Sequence, residues 1–140
     1  MTLAKRIFVF VAVQSQEHSS AELTSLLGLA PDEAWDRGAP FVVGRTQRVH
    51  DSSRWAVEER AEGLEHWDEV VERLLGRLLP IEARFRALPP NVTVAFSGCV
   101  TEDNAVFGLG LEKHHVRFLA AIGAEIGLSI VVSGSQTETD

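Results

Sequence analysis

The sequence has little of what marks a secreted or membrane-spanning protein. Cys99 is the one cysteine, so the chain forms no internal disulfide, whereas paired cysteines are common in secreted domains of this size. The apolar run at residues 7–13 is far shorter than the roughly 20 residues that cross a bilayer. These two features predict a cytoplasmic protein without a membrane partner.

Basic residues are also scarce. Thirteen Lys and Arg stand against twenty Asp and Glu, which gives a net charge of −7. Affinity for nucleic acid depends on clustered positive charge, so this balance argues against a nucleic-acid partner. The basic residues are almost all arginine, which indicates a GC-rich, bacterial coding sequence. The segment from Arg37 to Arg54 departs from the acidic average, because it holds four arginines and one acid.

The 140 residues, 45% of them hydrophobic, are enough for one domain with its own core. We expect that domain over residues 1–132. Residues 133–140 are polar and have nothing to bury, which predicts a disordered C-terminal tail.

The first half of the chain alternates strand and helix signals. The apolar run at residues 7–13 predicts a central strand with both faces covered. Ser19 and Glu22 have the spacing of a capping box, and Gly28 fits the position that ends the helix. Irregular, turn-rich sequence follows over residues 30–54, with short strand signals at 41–43, 47–50 and 54–58. We therefore expect a strand, a short helix and a hairpin or edge pair.

The second half begins with the clearest periodicity. An apolar stripe at helical spacing predicts an amphipathic helix over residues 64–79, and Pro80 either kinks it or starts a second helix. Residues 91–100 alternate and, with a return strand at 105–111, predict an antiparallel hairpin. A helix at about 113–122 then leads to a last strand at 126–132, which is apolar enough to be internal.

These elements predict an α+β fold in the order β-α-β-β-α-β-β-α-β. We expect a mixed, largely antiparallel sheet of five to six strands, with about three helices packed mainly on one face. Among known arrangements, this order is related to the ferredoxin-like fold.

No motif assembles a complete catalytic, cofactor or metal site. Gly108 and Gly110 lack the third glycine of a nucleotide fingerprint, since Lys113 stands in its place. His114 and His115 are adjacent, and side chains one apart on a helix diverge by about 100°, so we expect no shared metal. The sequence therefore predicts no cofactor, no metal and no catalytic residues.

The most distinctive segment combines tryptophan with arginine. Both residue types are enriched where proteins bind partners, and an arginine can stack on an indole ring. The alternative is that the two tryptophans belong to the core. The candidate binding residues are Trp35, Arg37, Arg48, Arg54 and Trp55.

Part of this pattern resembles a known family. Residues 28–31 (Gly-Leu-Ala-Pro) after a short helix, then Trp35 and Gly38, then Trp55 at the start of a strand, are similar to an uncharacterised bacterial family, DUF4279. The long helix from residue 64 and the segment 108–132 resemble its later part, so the similarity covers about residues 6–132. The resemblance implies a small cytoplasmic bacterial α+β domain of unassigned activity and carries over no catalytic residues.

We therefore expect a non-catalytic module that binds a protein, a ligand or a second copy of itself. A small hydrolase or transferase is the first alternative, and it requires Ser97, Glu102 and His114 to converge. An acidic inhibitor of the immunity-protein type is the second alternative, and it rests on the net charge.

Overall fold

A computed structural model describes residues 6–62, 65–102 and 109–132. Five strands form one mixed sheet in the order β2-β5-β1-β6-β7, and two further strands, β3 and β4, form a separate hairpin. All pairings in the large sheet are antiparallel except that of β6 with β7. The strands are β1 (Arg6–Ser15), β2 (Glu33–Trp35), β3 (Pro40–Val43), β4 (Thr46–Val49), β5 (Ser53–Glu62), β6 (Thr93–Glu102) and β7 (Ala124–Val132).

The helices of the described segments pack on one face of this sheet, where they share a single apolar core with it. A 3-10 turn at Leu79–Ile81 joins the second helix to the third. The predicted α+β class, with a mixed and largely antiparallel sheet, is confirmed. The helices are α1 (Ser20–Leu27), α2 (Trp67–Leu78), α3 (Glu82–Arg86) and α4 (Lys113–Ala121).

Local sequence signals explain where α1 and α2 begin and end. The backbone N–H of Glu22 donates to Ser19 Oγ at 3.1 Å, and the N–H of Ser19 donates to Glu22 Oε1 at 2.8 Å, which completes the predicted capping box. Gly28 ends α1 with φ of 73°, a conformation that favours glycine. Pro80 lies in the 3-10 turn and α3 follows it, so the second of the two predicted alternatives, the start of a second helix, is the one observed.

Strand β1 is the middle strand of the sheet, as its apolar sequence predicts. Ile7, Val9, Val11 and Val13 face the helices and are buried. The prediction that both faces are covered is wrong. Phe8, on the opposite face, is half-buried, because the helices of the described segments all lie on the other side.

Strand β7 differs most from expectation, because among the described strands it lies at the edge of the sheet and not inside it. Its apolar side chains remain substantially exposed, and α4 connects it to β6 as a parallel neighbour. Strand β6 therefore has β1 along one side and β7 along the other, which leaves no free edge for the predicted return strand. Residues 103–108 of that strand lie outside the described residues, and residues 109–111 belong to no strand.

The relation to the ferredoxin-like fold and the disordered tail stay predictions, and residues 133–140 lie outside the described residues. Within the part of the chain that the structure describes, every helix is too short or too polar to span a bilayer.

Candidate functional site

The five predicted binding residues lie on both sides of the sheet. Arg54 and Trp55 are neighbours in β5, and successive strand residues point to opposite faces. Trp55 is completely buried under the helices, where its Nε1–H donates to the carbonyl oxygen of Leu29 at 3.0 Å. Its ring meets Phe85 edge-on at 6.1 Å. Trp55 therefore belongs to the core. Arg54 points to the opposite face, on which none of the described helices packs and which we call the open face.

Trp35 lies in the edge strand β2, where it pairs with Arg54 and shares the open face with it. Its ring stacks on His50 with a centroid distance of 4.0 Å, and Phe41 stacks on the same imidazole at 4.2 Å. The Nε1–H of Trp35 donates to the carbonyl oxygen of Ser52 at 3.2 Å. This half-buried tryptophan joins the β3–β4 hairpin to the edge of the sheet.

Arg54 is committed to partners within the chain. Its Nε–H donates to Glu33 Oε1 at 3.0 Å, and its guanidinium carbon lies 5.0 Å from the Phe10 ring centroid and 5.1 Å from that of Trp35. Only 16% of its side chain is exposed. Arg54 thus covers aromatic surface on the open face and has its charge balanced by a carboxylate.

Of the other two predicted arginines, Arg37 lies just before β3 and Arg48 lies within β4. Arg37 donates from Nη1 to the carbonyl oxygen of Gln16 at 3.1 Å. Arg48 is exposed on β4, opposite Phe41. The structure brings Trp35 and Arg54 together, while Arg37, Arg48 and Trp55 lie apart from that pair.

The open face carries an aromatic strip along β1. The rings of Phe8 and Phe10 are 5.4 Å apart, and the guanidinium of Arg60 lies 4.2 Å from the Phe8 ring centroid. Toward β7 a shallow groove follows this strip. It is lined by Phe8, Phe10, Ser97, Gly98, Cys99, Gly127, Leu128 and Ser129.

The exposed side of β7, which we call the β7 edge, is the surface that the sequence interpretation missed. Four of its apolar residues keep 40–47% of their surface exposed: Ile126, Leu128, Ile130 and Val131. The sequence contains a signal for this partly exposed strand, because polar or small residues alternate with aliphatic ones: Glu125, Gly127 and Ser129 with Ile126, Leu128 and Ile130. Such alternation indicates a strand with only one face covered. An internal strand of a parallel sheet is covered on both faces, and its sequence is a continuous apolar run.

A second cluster joins α2 to α4. The Nε2 atoms of His114 and His115 both lie 2.7 Å from Glu72 Oε1, and the ligand atoms of the three side chains are all within 4.8 Å of one another. The predicted divergence of these two histidine side chains, on which the expectation of no shared metal rests, is wrong. Their rings, 4.1 Å apart, both turn toward α2, so the divergence of their Cβ bonds does not separate the ring nitrogens.

The hydrogen bonds of this cluster favour the ionised form of its carboxylate. Contacts from His114 and then His115 lower the pKa of Glu72 below its ordinary value. His115 is almost fully buried, at 2% exposed, while 58% of the His114 side chain and 60% of the Glu72 side chain are exposed. The cluster is thus an ionised carboxylate at the surface that is held by one buried and one exposed imidazole.

The residues of the enzyme alternative do not converge. Ser97 points to the open face beside Phe10, its partner in β1. His114 is on α4, on the helix side of the sheet, where it contacts Glu72. The side chain of Glu102 lies outside the described residues.

Comparison with known proteins identifies one family. The family model described as "Domain of unknown function (DUF4279)" matches residues 5–133, which is almost the whole chain. No curated protein and no solved structure matches. The match confirms the resemblance inferred from the sequence and supplies no activity.

Proposed function

The chain belongs to the DUF4279 family, a domain of unknown function, and we propose that it is a non-catalytic interaction module that pairs with a second copy of itself through the β7 edge. The observation that carries this proposal is an apolar edge strand of nine residues with four exposed aliphatic side chains. Natural sheets shield such strands, because their unpaired backbone groups attract other strands.

The β7 edge has few of the usual protective features. Its sequence, AEIGLSIVV, contains no proline and no lysine, and Glu125 is its one charged residue. Among the described residues, β7 pairs only with β6, so its outer backbone groups have no strand partner there. Main-chain hydrogen bonds to an added strand supply affinity in this mode of recognition, and the alternate side chains supply specificity.

The order of side chains along β7 favours a second copy as the added strand. In an antiparallel pair centred on Leu128, that residue lies opposite its own copy and Ile126 lies opposite Ile130. Glu125 then lies opposite Val131, so the two carboxylates do not face each other. Such apolar cross-strand pairs stabilise a sheet, whereas opposed like charges destabilise it. The twofold axis would join two five-stranded sheets into one, with the helices of both copies on the same side.

The low charge of this surface is compatible with self-association. The chain carries a net charge of −7, so two copies repel each other at long range. A contact through β7 places a single acidic residue per copy at the interface. The alternative of an immunity-type inhibitor has only the net charge in its favour.

Size-exclusion chromatography with light scattering tests the proposal. The wild-type chain is expected at twice its mass of 15.3 kDa. Leu128→Lys is expected to give a monomer, because it places two ammonium groups opposite each other at the twofold axis. Val42→Lys is the matched control, since Val42 is an exposed aliphatic residue, 67% accessible, on the β3–β4 hairpin. That variant should remain a dimer.

A wild-type monomer at high protein concentration would contradict the proposal. So would a dimer that survives Leu128→Lys but dissociates with Val42→Lys, because that result would place the interface on the hairpin. Circular dichroism of both variants establishes that each is folded.

A further inference from the structure

We propose that Glu72, His114 and His115 form a site for a divalent transition-metal ion, with Zn²⁺ as the best fit. The three side chains offer Glu72 Oε1 and two imidazole Nε2 atoms, all within 4.8 Å of one another. Two histidines and one carboxylate are a ligand set that zinc uses in sites that keep an open fourth position.

The distances suit a tetrahedral ion after a small adjustment. Bonds of about 2.1 Å at tetrahedral angles separate neighbouring ligand atoms by about 3.4 Å. Each Nε2–Oε1 distance is 2.7 Å, so each has to open by roughly 0.7 Å to admit the ion. Because most of the Glu72 side chain is exposed, its rotation can provide this movement without disturbing the core.

The positions of the ligands are fixed by secondary structure. Glu72 lies in the middle of α2, and His114 and His115 lie in the first turn of α4. His115 is also buried, so packing limits its rotamers. Sites on rigid elements hold their geometry better than sites on loops, which favours a prearranged ligand set.

A carboxylate stands behind the exposed histidine. Glu112 Oε1 lies 3.6 Å from Nδ1 of His114, on the side of the ring that faces away from Glu72. A metal-bound imidazole keeps its proton on the other nitrogen and commonly donates it to a carboxylate. At His115, Nδ1 accepts the N–H of Glu112 over a long 3.4 Å. Metal binding at Nε2 moves the ring proton to Nδ1, so this weak contact is lost.

Charge and ligand type favour zinc over calcium or magnesium. The first turn of α4 carries the positive end of the helix dipole, and the carboxylates of Glu72 and Glu112 offset it beside the site. Imidazole nitrogen is a good ligand for Zn²⁺, Cu²⁺ and Ni²⁺, whereas Ca²⁺ and Mg²⁺ prefer oxygen ligands. We therefore expect no measurable competition by millimolar Mg²⁺.

Isothermal titration of the tag-free, full-length chain with ZnCl₂ tests the site, together with the visible spectrum of Co²⁺ in its place. We expect one Zn²⁺ per chain and cobalt bands of tetrahedral intensity. Glu72→Gln keeps the shape of the side chain and an acceptor oxygen but loses the anionic ligand. We expect this variant and His114→Ala each to weaken zinc binding at least about tenfold.

His18→Ala is the control, because His18 lies in the loop before α1 and contacts Ser15 rather than the cluster. It should bind zinc like the wild type. Absence of zinc binding would overturn the proposal, as would affinities that neither Glu72→Gln nor His114→Ala changes. Octahedral cobalt spectra would also overturn it. These results do not depend on the oligomeric state.

Discussion

The two edges of the five-stranded sheet are formed by strands that differ in length and in chemistry. At one edge, β2 has three residues, and the carboxylate of Glu33 is paired with Arg54 on the neighbouring strand. The stacked rings of Trp35, His50 and Phe41 connect this edge to the β3–β4 hairpin. At the other edge, β7 has nine residues and exposes aliphatic side chains.

The difference shows how one edge of a sheet can block the addition of further strands while the other edge remains available for pairing. A short strand with charged side chains and a neighbouring hairpin resists addition of another strand. A long apolar strand favours such an addition. The β2 edge therefore limits growth of the sheet in one direction, and the β7 edge allows pairing in the other.

The largest expected effect comes from breaking the strand that supports the β7 edge. Gly98 of β6 lies opposite Leu128, and the indole ring of Trp67 occupies the space that a Cβ would need. Gly98→Val should therefore destabilise the fold by about 3 kcal/mol, because overpacking forces the helix away from the sheet. Urea denaturation measures this loss.

Gly127→Ala provides the matched control for this substitution. Gly127 is also a strand glycine, but it points to the open face, where a Cβ would lie an ordinary 3.9 Å from Ser97 Oγ. Its effect on the free energy of unfolding should stay within about 0.5 kcal/mol. Equal losses for the two variants would contradict the packing of Trp67 on Gly98.

A smaller effect is expected where α2 is tied to the chain just before β2. Arg77 donates to Asp32 Oδ2 at 2.9 Å, and this hydrogen bond lowers the pKa of the Asp32 carboxyl. A lowered pKa in the folded state contributes stability above the ordinary value of about 3.9, and this contribution is lost as the pH falls through and below that value. Asp32→Asn should thus cost about 0.5–1 kcal/mol at neutral pH, since the pair is partly exposed.

The pH dependence separates this ion pair from a packing effect. Denaturant unfolding of Asp32→Asn and of the wild type between about pH 7 and about pH 3 should give curves that converge at the acidic end. A difference that stays constant over this range would show that the carboxylate charge is not responsible.

The smallest effect is expected at the β2 edge itself. Glu33→Gln removes the charge opposite Arg54 and should cost about 0.5 kcal/mol or less, because almost half of the Glu33 side chain is exposed. The variant should keep the oligomeric state of the wild type. If it instead produced larger assemblies in light scattering, Glu33 would be the residue that blocks strand addition at β2.

Much of the fold follows from local signals in the sequence. The capping box at Ser19, the apolar stripe of α2 and the proline at residue 80 act within one or two helical turns, so their consequences are readable without the rest of the chain. The central position of β1 follows from its apolar run. The open second face does not, because Phe8 and Phe10 are shielded by Arg60 and Arg54 rather than by a helix.

The candidate sites depended on distant contacts and were harder to predict. The apolar residues of β7 favour an internal strand, although their alternation with Glu125, Gly127 and Ser129 does not. Its place at the edge is set by the parallel connection through α4. The approach of His114 and His115 to Glu72 spans more than forty residues of sequence. Trp55 and Arg54 are both of a residue type that is enriched at binding surfaces, but the alternation of side chains along β5 places them on opposite faces of the sheet.

Hydrogen–deuterium exchange at two protein concentrations tests the central claim most directly, because it reads both edges in one experiment. Pairing of two copies predicts that amides in residues 124–132 exchange more slowly in the concentrated sample, while those in residues 33–35 exchange at the same rate in both. Exchange of residues 124–132 that does not change with concentration, across a range in which light scattering reports the change from monomer to dimer, would contradict the account.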